Sequence, residues 1–145
     1  MDPFRLQRFV DAQDTLWPRV RAELAAGQKR SHWMWFVFPQ LATLARSTTA
    51  KHFGILSRAE ADAYLHHPVL GPRLLEATRL VLGVRGRSVH DIFGSPDDLK
   101  FRSLMTLFHA VAPDEPAFAE ALAKLLDGRP DEKTLAWLGP RDGQS

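Results

Sequence analysis

Apolar residues recur every three or four positions through most of this chain, the spacing that lines one face of an α-helix. Phe4, Phe9, Val10, Leu16, Trp17, Val20 and Leu24, with Gln13 on the same face, make the first such series. Asp2-Pro3 supplies a cap and a first-turn proline, and Gly27 ends the run. Pro18 lies inside it, where it removes a backbone donor and crowds the preceding turn, so a kink or split is predicted. Ser57-Arg58-Ala59-Glu60 has the spacing of a capping box and opens a helix over 58–67. Pro68 interrupts, and a second helix runs to about Leu82, where Gly83 and Gly86 break it. Ser88 to Phe93 predicts one short turn. Ser95-Pro96-Asp97-Asp98 sets a cap, a proline and two carboxylates at the start of a helix that continues to about Val111. Pro116 opens another, closed by Gly128, and Pro130-Asp131 begins a last one ending near Gly139.

Two stretches depart from this pattern. Residues 42–56 are the least regular, with Ser47-Thr48-Thr49 and Gly54 reading as loop. Trp33 to Phe38 is uniformly apolar, so periodicity cannot separate a buried strand from a buried helix. One strand cannot make a sheet, and Ser31 can cap a short aromatic helix that Pro39 stops. The prediction is an all-α fold: a single compact domain of about seven helices over residues 1–139, with a frayed tail at 140–145.

Composition narrows the field. At 145 residues the chain suits one core. It has no cysteine, which removes disulfides and thiolate metal sites. No apolar run approaches the ~20 residues of a membrane span, and neither a leader nor an anchor is evident, so the expected location is cytoplasmic. Net charge is only +2, too little to argue for nucleic acid, which needs a concentrated basic face. Oligomeric state leaves no signal.

The chemistry concentrates in two segments. Residues 29–40, Lys-Arg-Ser-His-Trp-Met-Trp-Phe-Val-Phe-Pro-Gln, place two of the four tryptophans directly after two cations and a histidine. Each aromatic ring favours burying on the order of 150–250 Å², so the segment belongs in the core. Packing alone explains Trp33, Phe36, Val37 and Phe38, but not His32 and Gln40. Arg30 beside a helix start at Ser31 would make an anion site, and Trp33 or Trp35 could stack on a flat base. In the second segment, Gly94 to Ser103, strong capping and solvated charge pairs such as Asp98 with Arg102 are one reading. The other uses Asp97, Lys100 and Ser103, spaced by three, as one pocket wall, with a partly desolvated Lys100 as base or anion ligand and Ser95 at the helix start. His66-His67 lack the spacing of a metal motif, and His52, His90 and His109 are isolated; no metal or cofactor is called for.

The run Arg30-Ser31-His32-Trp33-Met34-Trp35-Phe36-Val37-Phe38-Pro39-Gln40 resembles the bacterial domain-of-unknown-function 1810 family. So do Arg8 to Gln13, His67 to Leu74, Ile92 to Lys100 and Ser103 to Phe108. The resemblance spans nearly the whole chain and implies a mainly helical domain of unassigned activity. A looser likeness reaches the NADAR proteins, which act on ADP-ribose and related ribosides; no residue is carried over from it.

Together these readings predict that the two segments meet. Arg30, Lys100, Ser31 and Ser95 would hold the phosphate of a small nucleotide-like ligand such as ADP-ribose, and Trp33 or Trp35 its base. Gln40 and Ser103 would line the pocket, and His32 or Asp97 would act as base for N-glycosidic hydrolysis. The alternative is a non-enzymatic adaptor or nucleic-acid binder using Arg5, Arg8, Arg19, Arg21, Arg46, Arg73, Arg79, Arg85 and Arg87. Their scatter over several helices argues against one basic stripe.

Overall fold

The computed structural model describes residues 2–45 and 47–139, and among them the fold is all-α. Ten α-helices follow one another: α1 (Gln7–Asp14), α2 (Trp17–Ala26), α3 (Met34–Val37), α4 (Thr48–His52), α5 (Arg58–His66), α6 (Leu70–Gly83), α7 (Val89–Phe93), α8 (Asp97–Val111), α9 (Pro116–Glu120) and α10 (Glu132–Leu138). A 3-10 turn spans Ala42–Leu44, and α9 runs on into a π-helical segment, Ala121–Leu125. Among the described residues there is no strand, only a parallel bridge between Leu41 and Ile55. The expected tail at 140–145 lies outside the described residues.

Local signals account for most boundaries. The first apolar series splits at Thr15-Leu16, and Pro18 sits in the first turn of α2, where its missing donor costs nothing. Gly27 closes α2 in the left-handed region (φ 74°), a conformation costly for a residue with a Cβ. Ser57 caps α5, but Glu60 does not complete the box. Its carboxylate turns to the Leu56 N–H at 2.8 Å and to Arg8 at 2.9 Å. Asp2 caps from a distance, accepting from the N–H groups of Leu6 and Gln7. The count exceeds seven for three reasons. The first series is two helices, the short turn expected at Ser88 to Phe93 is a capped helix of its own, α7, and Ser47-Thr48-Thr49 is no loop, because the Ser47 hydroxyl accepts from Ala50 N and starts α4.

The interior is one cluster of buried apolar side chains reaching from Leu6 to Leu126. α6 packs on α2 and α5, and α8 packs on α5, α7, α9 and α10. The aromatic segment lies at the centre. Trp33 and Phe38 are fully buried, and Phe38 meets the rings of Phe93 and Phe101 edge-on at 5.8 and 5.2 Å. A one-turn helix leaves most of its end groups unbonded, and the core supplies partners. Buried Gln13 on α1 donates to the Phe36 carbonyl at 2.6 Å and to the Tyr64 hydroxyl at 3.1 Å, and accepts from Arg73. Burial raises the Tyr64 phenol well above its ordinary range, only partly offset by Gln13.

Arg8 is the clamp of the irregular stretch. It donates to the carbonyls of Phe4, Arg5, His52 and Gly54 and pairs with Glu60, the two side chains being 11% and 2% exposed. Removing one partner of a buried pair strands the other charge, at about 3–5 kcal/mol. Arg8→Met should therefore lower urea-unfolding stability by about that much. Arg19→Ala on exposed α2 surface should change it by less than ~0.5 kcal/mol. Equal losses in the two variants would contradict the clamp.

Candidate functional site

Beyond Gly27 the chain turns back on its own helix. The Glu23 carboxylate accepts the N–H groups of Arg30 (2.8 Å) and Ser31 (3.0 Å), the Ser31 hydroxyl (2.6 Å) and the Trp33 indole N–H (2.9 Å). Burial pushes its pKa up. The bonds from Ser31, Arg30 and Trp33 outweigh that and hold it down at about 2, against an ordinary 4.5. The sequence marks Arg30-Ser31 as an anion site, and so it is, but the anion is the protein's own carboxylate. Ser31 consequently does not cap α3, which starts after Trp33 without a side-chain cap. As folded, neither Ser31 nor the buried Trp33 has a free donor to offer a ligand.

The two segments do meet, through Lys29. Its N–H bonds the Ile92 carbonyl at 2.8 Å, and its ammonium reaches Asp97 at 3.0 Å and lies 5.2 Å from the centre of the Trp33 ring. Asp97 also faces Lys100 at 3.6 Å. Side-chain exposures of 10% for Lys29, 19% for Asp97 and 24% for Lys100 keep this trio largely out of water. Two ammoniums share one carboxylate, which leaves a surplus positive charge at Lys100. That side chain borders a small cavity with Met34, Trp35, Phe38, Gln40 and Ala50, whose water-accessible space is about 10 Å³. Such a volume holds about one water molecule, far less than a nucleotide needs.

The remaining expected residues sort by position. His32 is exposed and stacks on half-buried Trp35, ring centres 6.3 Å apart and planes at 25°. Arg30 is exposed, its guanidinium on Gln28 rather than toward α8. Ser95 is exposed and does not cap α8; Pro96 holds that position. Ser103 is buried and turned back onto the Leu99 carbonyl, so it leaves the face shared by Asp97 and Lys100. Asp98 is paired with His90 at 3.0 Å and not with Arg102. Sequence reasoning missed Glu23, Lys29 and Ala50. Only Lys29 carried a signal, as the first cation of the aromatic run.

Several arginines of the alternative reading are already engaged: Arg8 with Glu60, Arg21 with Glu76, Arg73 with Asp14, Arg79 with Glu115, and Arg87 with the carbonyls of Gly27 and Asp91. Arg46 lies outside the described residues. A wider depression of about 400 Å³ on the outer face of α6, lined by Pro72, Leu75, Glu76, Arg79 and Leu80, holds none of the residues of the two segments. Among the described residues no group of three or more His, Asp or Glu could hold a metal ion, and no helix is long and apolar enough to cross a membrane.

Comparison with known proteins agrees with this architecture. The chain belongs to the family described as Protein of unknown function (DUF1810), whose model matches residues 3–138. It is similar to the crystal structure of the conserved hypothetical protein Rv1873 from Mycobacterium tuberculosis, with 53% identity and a TM-score of 0.92 over 94% of this chain and 97% of that one. No curated protein matches it.

The Glu23 latch has a pH signature. A carboxylate whose folded pKa is depressed adds stability that is full above its unfolded pKa and is lost as pH falls through the folded one. For Glu23 the window runs from about 4.5 down to about 2. Glu23→Gln should be clearly less stable than the parent at neutral pH, and the gap in urea midpoints should close across that window. A gap independent of pH would show that the four bonds do not favour the ionised form.

Proposed function

We propose that this DUF1810 member binds a small phosphorylated, nucleotide-like ligand, of which ADP-ribose is the type, where Lys100, Trp35, Gln40 and His32 adjoin. The observation that supports this reading is the Lys29–Asp97–Lys100 trio, whose surplus charge stands at the edge of a small cavity lined also by Met34, Trp35, Phe38, Gln40 and Ala50. A partly desolvated, uncompensated cation is costly, and an anion placed on it recovers that cost. Phosphate suits the position, since bonds to a charged donor are the stronger kind.

N-glycosidic hydrolysis is the reaction this set would serve. Asp97 already neutralises two ammoniums, so its part is to position Lys29 and Lys100. His32, exposed and stacked on Trp35, takes the proton of the attacking water. The water oxygen bonds to the anomeric carbon of the riboside, and the C–N bond breaks with its electron pair leaving on the base. A cytoplasmic location goes with such a ligand.

Thermal shift and product analysis test this together. At a hundred times its dissociation constant a ligand stabilises by about 2.7 kcal/mol, so ADP-ribose or NAD should raise the melting temperature of the parent visibly. Lys100→Ala should weaken binding about 10- to 100-fold, the range for a lost bond to a charged group. His32→Ala should keep binding and lose base release measured by chromatography. No shift with any nucleotide, or a Lys100→Ala variant that binds as the parent does, would sink the reading.

A further inference from the structure

The inner side of α6 is committed to the core. Leu74, Ala77, Thr78 and Val81 are buried there, and α2, α5 and α9 pack against the helix. The outer side carries a second stripe. Pro72, Leu75, Glu76, Arg79, Leu80 and Gly83 recur at intervals of three and four, the spacing of one helix face, and all six are exposed or half-buried. They form two rows stepped by four residues, Pro72-Glu76-Leu80 and Leu75-Arg79-Gly83. The depression of about 400 Å³ lies on this stripe, and among the described residues only α6 side chains line it. Its two charges already touch neighbours, Glu76 with Arg21 at 3.0 Å and Arg79 with Glu115 at 3.4 Å. Glu76 is 40% exposed, Arg21 57% and Arg79 58%, so both pairs stand in water and are weak.

We propose that this face pairs with the same face of a second copy of the chain. Its charges are self-complementary. A two-fold axis along the groove between the two rows lays each row over the partner's other row. Because the rows are three residues out of step, Glu76 then faces the partner's Arg79, and Arg79 faces the partner's Glu76. Leu75 meets the partner's Pro72, and Leu80 meets the partner's Gly83. A Cβ added at Gly83 would touch nothing within 4 Å among the described residues, so that position is a notch open to Leu80. Each contact occurs twice, as an isologous interface requires. Rows inclined by about 26° to the helix axis make the two helices cross at about 50°. The internal ion pairs persist. Arg21, Glu76, the partner's Arg79 and the partner's Glu115 alternate in sign, and charges joined in a network count for more than isolated surface pairs. A partner of one sign, such as nucleic acid or an acidic peptide, would gain at Arg79 and lose at Glu76. One helix crossing is smaller than the ~800 Å² per partner of a stable complex, so the dimer is weak and depends on concentration. The pairing is independent of the ligand proposed above.

Sedimentation velocity of the full chain, from micromolar to millimolar concentration, tests the pairing. The parent should pass from monomer to dimer, and added salt should lower the dimer fraction. Glu76→Arg sets four cations against one another across the axis, and Arg79→Glu sets four carboxylates. Each variant alone should self-associate at least about tenfold more weakly than the parent. Mixed in equal amounts they should recover the dimer, since the cations of one then face the carboxylates of the other. Gly83→Gln should match the parent in circular dichroism and lose the dimer, because its side chain fills the notch. A parent that stays monomeric throughout overturns the pairing and leaves the face to a different protein. A dimer indifferent to the charge reversals, or variants that do not recover on mixing, puts the interface elsewhere and overturns it as well.

Discussion

The carboxylate of Glu23 sets the course of the chain between α2 and α3, and the site follows from that course. After a left-handed glycine the backbone could leave in many directions. Four hydrogen bonds to one side chain select the path that drops Trp33 into the core and returns Lys29 to the end of α7. Phe38 then meets Phe93 and Phe101, and Lys29 meets Asp97. Gln13 then ties the far end of α3, donating to the Phe36 carbonyl. A four-residue helix has almost no stability of its own, so its position is a property of the helices around it.

Helix starts were legible in the sequence because capping chemistry is local: Ser57, Ser88 and Asp131 each cap the helix that their spacing announces. The all-α fold followed, since the Trp33–Phe38 run had no strand to pair with. Ser47 has the same chemistry but lacks an apolar series behind it, so the sequence reads as loop where α4 forms. Glu23 was illegible for a different reason. On a helical pattern it is one exposed-face glutamate among several, and only the reversal at Gly27 brings it over Arg30, Ser31 and Trp33.

The candidate site was legible as two segments and not as a set of contacts. Reading Arg30-Ser31 as an anion site was sound chemistry, yet nothing in the spacing shows that an internal carboxylate already fills it. The three-residue rhythm of Asp97, Lys100 and Ser103 likewise suggested a common face. Ser103 leaves it because a buried hydroxyl on a helix bonds the carbonyl four residues back. What remains is the charge imbalance. Lys29 is committed to Asp97 and to the face of Trp33, so Lys100 carries the cation that the fold leaves unbalanced.

Nitrogen-15 NMR of the lysine side-chain ammoniums measures that imbalance directly during titration with pyrophosphate. Pyrophosphate should produce a saturable shift of the Lys100 signal, with Lys29 unchanged and exposed Lys124 following bulk ionic strength alone. A Lys100 signal that tracks Lys124, or a Lys29 signal that moves with it, would contradict the account.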